Sequence, residues 1–279
     1  FNLTHYPNIA DTYAEQEKMR THMIRFTDCE NIYVAGVTLQ NAAKFHIIPT
    51  RCKNVIIDGI MVRCPWNAQN GDAIDLSSCR NALVVNCIVD AGDDGICMKA
   101  GAGKRGEEYG PCENILIENN TVFHAHGGFV IGSEFSGGMR NIVVRNNLFS
   151  GTDTGLRFKS GIGRGGVCEN IYIYNIQMTD IKDQAIVFEC TYQNRGVGID
   201  VKDESEMLKV APYAPNFCDI HISDVVVRGT HTAIKAHGLP ALRAVYDIKI
   251  ENSVFFYTHT ATDITNAEVE MEGCVLQSF

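Results

Sequence analysis

Three short polar clusters stand out for the chemistry they could do together: Asn70-Gly71-Asp72, Gly92-Asp93-Asp94 and Arg157-Phe158-Lys159. Carboxylates crowded on one surface repel one another, which raises at least one pKa and keeps that group protonated near neutral pH. Such a group can donate a proton while a second carboxylate holds and activates water, the division of labour of glycoside hydrolysis. The Arg-x-Lys pair supplies charge-assisted hydrogen bonds to a substrate carboxylate, which points to an acidic sugar. Each residue has a plainer reading. Asp is common in turns because it accepts local backbone hydrogen bonds, and an Arg-x-Lys pair can be a solvated face. His124 and His126 could form a metal pair, but no third ligand is evident, so no metal site is expected.

These residues can meet only if the chain repeats. A block of the form Cys-x-Asn followed by alternating apolar residues recurs at Cys29, Cys52, Cys79, Cys112 and Cys168, with Met139 opening a sixth copy. Weaker copies follow at Asp219-Ile220, Asp247-Ile248 and Glu268-Val269. Asn170-Ile171-Tyr172-Ile173-Tyr174 alternates at period two and is rich in β-formers, which argues strand over helix. A second short strand follows in most copies, as in Ala73-Ile74-Asp75-Leu76, Gly95-Ile96-Cys97-Met98 and Gly155-Leu156-Arg157-Phe158. Units of this size cannot bury an apolar face alone, so the pattern predicts an all-β, single-domain right-handed parallel β-helix, a solenoid of about nine coils over residues 1–279.

Aligning the second strands places Asp72 beside Asp94, with Asp93 one residue back and His126 following in the next coil. Strand alternation turns Ile74, Leu76, Leu156 and Phe158 inward, and Asp75, Arg157 and Lys159 outward. Arg157 then lies two coils from Asp94, on the order of 10 Å along the axis. The five cysteines of the block form a ladder about 4.8 Å apart, read as a buried structural stack. Eleven cysteines is an odd number, so at least one has no intramolecular partner.

A net charge of −9 opposes nonspecific binding to nucleic acid or to an acidic membrane surface. No apolar run is long enough to span a membrane as a helix, and Phe1-Asn2-Leu3-Thr4 does not read as a signal peptide. Gly161-Ile162-Gly163-Arg164-Gly165-Gly166 fits a nucleotide-binding glycine pattern formally, but no helix pattern follows it, so it is a turn.

On these residues the chain resembles the polygalacturonases of glycoside hydrolase family 28. The family's four segments, Asn-Thr-Asp, Asp-Asp, Gly-His-Gly and Arg-Ile-Lys, read here as Asn70-Gly71-Asp72, Asp93-Asp94, Ala125-His126-Gly127 and Arg157-Phe158-Lys159, in the same order. The resemblance implies hydrolysis of α-1,4-galacturonosyl linkages in polygalacturonate or pectin with inversion, without a cofactor. It makes Asp93 the general acid, has Asp72 and Asp94 share the base role, and has His126 support the acid. Asn70, Arg157, Lys159, Tyr192 and Glu134 become substrate-binding residues. It also implies a monomer, a secreted or periplasmic location, and an exo-acting relative, with Glu134 and the insertion from Lys99 to Pro111 shaping that specificity. Family members carry further coils and a cap before the point where this chain begins, and the polar segment from Ala10 to Arg20 is expected to shield the first coil. The alternatives are a calcium-dependent pectate lyase, a noncatalytic pectin-binding β-helix, and a hydrolase of another pectic backbone such as rhamnogalacturonan.

Overall fold

The computed structural model describes residues 20–192 and 213–279; apart from Arg20, the segment expected to shield the first coil lies outside them. The described chain winds as a parallel β-helix. One sheet has nine strands and takes one from each coil, running from Ile24–Thr27 through Ile74–Ser77, Asp94–Lys99, Gly127–Ser133, Thr154–Ser160, Gln184–Glu189 and Thr232–His237 to Thr260–Thr265. The rest of each coil builds a second sheet, which bends along its length. Registered pairs are parallel throughout, as at Ile96↔Phe129 and Leu156↔Ile186.

The sequence folds this way because the block's Asn sits where the backbone must turn. Asn31, Asn54, Asn81, Asn114, Asn141 and Asn170 all have φ between 54° and 60°, a left-handed conformation that Asn tolerates better than most residues. Their side chains also form a chain of amide bonds: each Nδ2 donates to the Oδ1 of the preceding coil, at 2.5–3.2 Å. A second left-handed column at Asn86, Asn119, Asn146 and Asn175 bends the other sheet into two faces. The cysteine ladder is present: Cys52, Cys79, Cys112 and Cys168 are buried and Cys29 half-buried, with Met139 between the last two. All eleven thiols are free.

Inside the nine-stranded sheet, Ile96, Phe129, Leu156, Ile186 and Ile234 form one inward row, all fully buried. Phe158 stacks on Phe188 with ring centroids 4.4 Å apart and meets Phe129 edge-on at 6.3 Å. Burying each such ring contributes about 2–3 kcal/mol, so the floor under the outward residues is stiff. Residues Lys99 to Pro111 leave the coil to form the short helix Gly103–Tyr109, the one helix among the described residues.

Candidate active site

The outward face of the nine-stranded sheet carries the chemistry. Parallel register makes side chains of successive coils neighbours, so residues far apart in sequence form columns. One column reads Asp75, Cys97, Val130, Arg157, Val187, Lys235 and Asp263. Beside it run Lys99, Gly132, Lys159, Glu189 and His237.

Asp72, Asp93 and Asp94 converge at the N-terminal end of these strands, with a carboxylate oxygen of each within 4.8 Å of the others. Asp94 is 2% exposed and paired twice: Lys159 Nζ lies 2.7 Å from Oδ2 and Arg157 Nη1 3.4 Å from Oδ1. Burial alone would push its pKa up, but the Lys159 and Arg157 charges overcome that and hold it far below the usual carboxylate range. Asp94 is therefore a buried anion.

Asp72, 3% exposed, behaves in the opposite way. Burial, followed by the charge of Asp75, raises its pKa well above normal. Asp75 is fully buried beside it and pushed up to about 7, again by burial. A single ammonium serves both: Lys99 Nζ lies 3.3 Å from Asp75 Oδ1 and 3.8 Å from Asp72 Oδ2, and donates to Gly132 O at 3.2 Å. Two buried carboxyls around one cation leave a charge that a proton can neutralise. The like-charge repulsion read from the sequence acts at Asp72, where burial outweighs it as the cause of the raised pKa. The basic partners unseen in the local sequence, Lys99, Arg157 and Lys159, arrive through the coils.

Asp93 is more open, its side chain 19% exposed. His126 reaches it twice: Nδ1 lies 3.0 Å from Asp93 Oδ1, and the His126 N–H donates to Asp93 O at 2.8 Å. The Asp93 hydrogen bond raises the His126 pKa against burial. On its other side, His126 Nε2 is 3.9 Å from Asp153. From here a cleft cavity of about 330 Å³ extends past Arg157 and Lys159 to Glu189 and Tyr192. A wider depression of about 710 Å³ runs along the Asn ladder on the other sheet, but no carboxylate lines it, so it offers no acid–base chemistry.

Tyr192 lines the cleft. Its ring centroid is 5.2 Å from Lys159 Nζ, 5.7 Å from Arg157 Cζ and 5.8 Å from Arg164 Cζ. Arg164, from the glycine-rich turn, is 7% exposed and donates to Tyr192 O at 2.9 Å. Asn70 stands one turn before Asp72 with φ 54° and accepts from Arg20 at 3.1 Å. Glu134 takes a hydrogen bond from Ser133 Oγ at 2.9 Å and lies 3.8 Å from Arg164. Its pKa stays low because the Lys99 charge, Ser133 and Arg164 outweigh burial, so it is tied to the cation framework. Sequence reasoning placed Asp75 outward without giving it a role, and it passed over Lys99 and Arg164. Register would have found Lys99, which stands in the Lys159 column two coils earlier.

The sequence profile of glycosyl hydrolases family 28 matches residues 5–210. The chain belongs to this family. Similar proteins include the exo-poly-alpha-D-galacturonosidase of Dickeya chrysanthemi, 29% identical over 231 residues, or 82% of this chain and 37% of that protein. Among solved structures, the hyperthermoactive exopolygalacturonase from Thermotoga maritima superposes with a TM-score of 0.82 at 30% identity, covering 91% of this chain and 54% of that one. The family 28 exopolygalacturonase of Yersinia enterocolitica gives 0.72 at 26% identity, covering 89% and 46%. The chain thus spans about half the length, or less, of these proteins. Its departures from the family 28 segments leave Asn70, Asp72, Asp93, Asp94, His126, Arg157 and Lys159 in place. Phe158 points into the stacked core, Ala125 is fully buried, and Gly71 packs where an added Cβ would meet Ala68 O and Cys64 Sγ, both at 2.9 Å.

Proposed function

We propose that this chain hydrolyses α-1,4-galacturonosyl linkages of polygalacturonate or pectin, acting as an exo-type pectin hydrolase outside the cytoplasm. The observation that carries the reading is the pairing of buried anionic Asp94, pinned by Lys159 and Arg157, with the accessible carboxyl of Asp93 one residue away. Asp93 protonates the glycosidic oxygen as the bond to the anomeric carbon breaks. A water held by Asp94 and Asp72 forms the new bond to that carbon and passes its proton to this pair, which can take it only while Asp72, whose raised pKa favours its protonated form, is ionised. His126 orients Asp93. Arg157 and Lys159 divide their charge between Asp94 and the uronate carboxylate of the substrate, and Tyr192 packs against the sugar with Asn70 and Glu134 at the cleft margins. Both faces of the pair would be satisfied with no cofactor. Residues 1–279 act as one catalytic domain.

Inversion is the stereochemistry we propose, and one distance favours the other outcome. The carboxylate oxygens lie within 4.8 Å of one another, closer than the ~6.5–9.5 Å carboxyl separation of most inverting glycosidases. Asp94 nevertheless makes a poor nucleophile, because Lys159 and Arg157 already engage its two oxygens; it is better placed to polarise water. Proton NMR of the first-formed sugar decides between the two. A β-anomer from the α-linked substrate supports direct water attack, and an initial α-anomer refutes it. The same digest separates hydrolysis from elimination, since a lyase would leave an unsaturated, ultraviolet-absorbing end.

A further inference from the structure

The Arg157-x-Lys159 pair has a counterpart further along the cleft floor. Register carries Arg157 through Val187 to Lys235, and Lys159 through Glu189 to His237. Two coils on, a Lys-x-His pair therefore occupies the same two columns, about 10 Å away at strand spacing. Both side chains face outward and are partly accessible, 24% for Lys235 and 31% for His237, although His237 Nε2 itself is buried against Asp263, while Ala233, Ile234 and Ala236 are buried. The coil between them contributes no cation to these columns, only Val187 and Glu189. The cleft rim continues in parallel: beyond Asp93 and His126 come Asp153, Asp183 and then the stacked rings of His231 and His259, 4.1 Å apart.

We propose that Lys235 and His237 form a second uronate-binding subsite that takes the carboxylate of a further sugar of the same acidic polysaccharide chain. The inference rests on the pectin-hydrolase reading and extends its cleft. At present each side chain has a partly exposed protein carboxylate beside it. Lys235 Nζ lies 3.5 Å from Glu189 Oε2, and His237 Nε2 lies 2.9 Å from Asp263 Oδ1. Glu189, which also accepts from Thr191 Oγ1 at 2.8 Å, lines the known cavity. It joins the two pairs and keeps Lys235 aimed at the groove when no sugar is bound. The Lys235–Glu189 contact is long for a charge-assisted bond, so a uronate carboxylate can compete for that ammonium at little cost. A polymer with a charge on every sugar can then engage both pairs at once, whereas a dimer on the first pair cannot reach the second.

The test is calorimetric binding of digalacturonate and hexagalacturonate to Asp93→Asn and to Asp93→Asn carrying Lys235→Ala and His237→Ala. The expected result is that removing the pair weakens hexagalacturonate about tenfold, and digalacturonate less than about twofold. Lys235→Arg should retain the long-chain affinity. Equal losses at both lengths, or none at either, would overturn the subsite. If the double variant unfolds, Lys235→Gln alone serves, with the same length-dependent outcome required. Hydrolysis of polygalacturonate by the unmodified chain is scored separately. Chain binding without hydrolysis would sink the catalytic reading and leave the subsite standing, while hydrolysis without any length-dependent effect would do the reverse.

Discussion

Lys159 Nζ sits 2.7 Å from Asp94 Oδ2, both residues buried. The contact links coils 65 residues apart in sequence and makes the candidate site also a structural ion pair. The pKa shifts are mutual: burial would lower that of Lys159, and the Asp94 charge raises it instead.

Removing Lys159 should therefore cost stability as well as activity. Lys159→Ala leaves a buried carboxylate with only Arg157 at 3.4 Å, and losing one partner of a buried pair costs about 3 kcal/mol. Urea unfolding at neutral pH should show that loss. Arg157→Ala, which removes the longer and more exposed contact, should lose substrate affinity with a stability cost of about 1 kcal/mol. Equal stability effects for the two variants would contradict this assignment.

Lys99 should set the acid limb of the activity profile. Its ammonium lowers the pKa of both Asp72 and Asp75 against burial. Lys99→Gln removes that opposition, so both carboxyls titrate at higher pH. The proposed base Asp72 then protonates earlier on acidification, and the acid limb of kcat/KM moves to higher pH by about a unit or more. A limb that stays in place would remove Asp72 from the base role.

Asp75 predicts an unusual pH dependence of stability. Its folded pKa, about 7, lies above the reference value of 3.8, so folding favours the protonated form. Its penalty is full above pH 7 and is relieved as pH falls from about 7 toward 4. Asp94 works in the opposite direction: its depressed pKa contributes stability above 3.8 that is lost only on strong acidification. Thermal unfolding should therefore show Tm rising from pH 7.5 to 5. Asp75→Asn should flatten that slope and gain a few kcal/mol at pH 7.5. An Asp75→Asn variant with an unchanged slope would refute the account.

Much of the fold was legible because a solenoid writes itself into sequence. The Cys-x-Asn block recurs wherever a left-handed turn must be filled, and Asn141 at φ 57° shows why that residue type was retained. The alternation in Leu156-Arg157-Phe158-Lys159 fixed which side chains face out, and register brought Asp72 beside Asp94. The contacts that tune the site were less legible. Lys159 and Arg157 were read as free for substrate, yet both reach back to Asp94, since side-chain length spans a coil spacing that backbone register does not describe. Asp75 looked like one more outward polar residue, yet it is fully buried, with the Lys99 ammonium 3.3 Å from its carboxylate. Tyr192 lay beyond any repeat argument; the Arg164 hydrogen bond to its carbonyl places it over the cations.

The central claim is that Asp93 delivers the proton that cleaves a galacturonosyl bond, and the most direct measurement compares reducing-end release from polygalacturonate by the unmodified chain and by Asp93→Asn. Asn keeps the shape and can still meet His126 but has no acidic proton to give. The account predicts saturated products from the unmodified chain and a loss of kcat of about 10²-fold or more in the variant, with hexagalacturonate affinity retained. Undiminished turnover in a folded Asp93→Asn protein, or unsaturated product ends from the unmodified one, would contradict it.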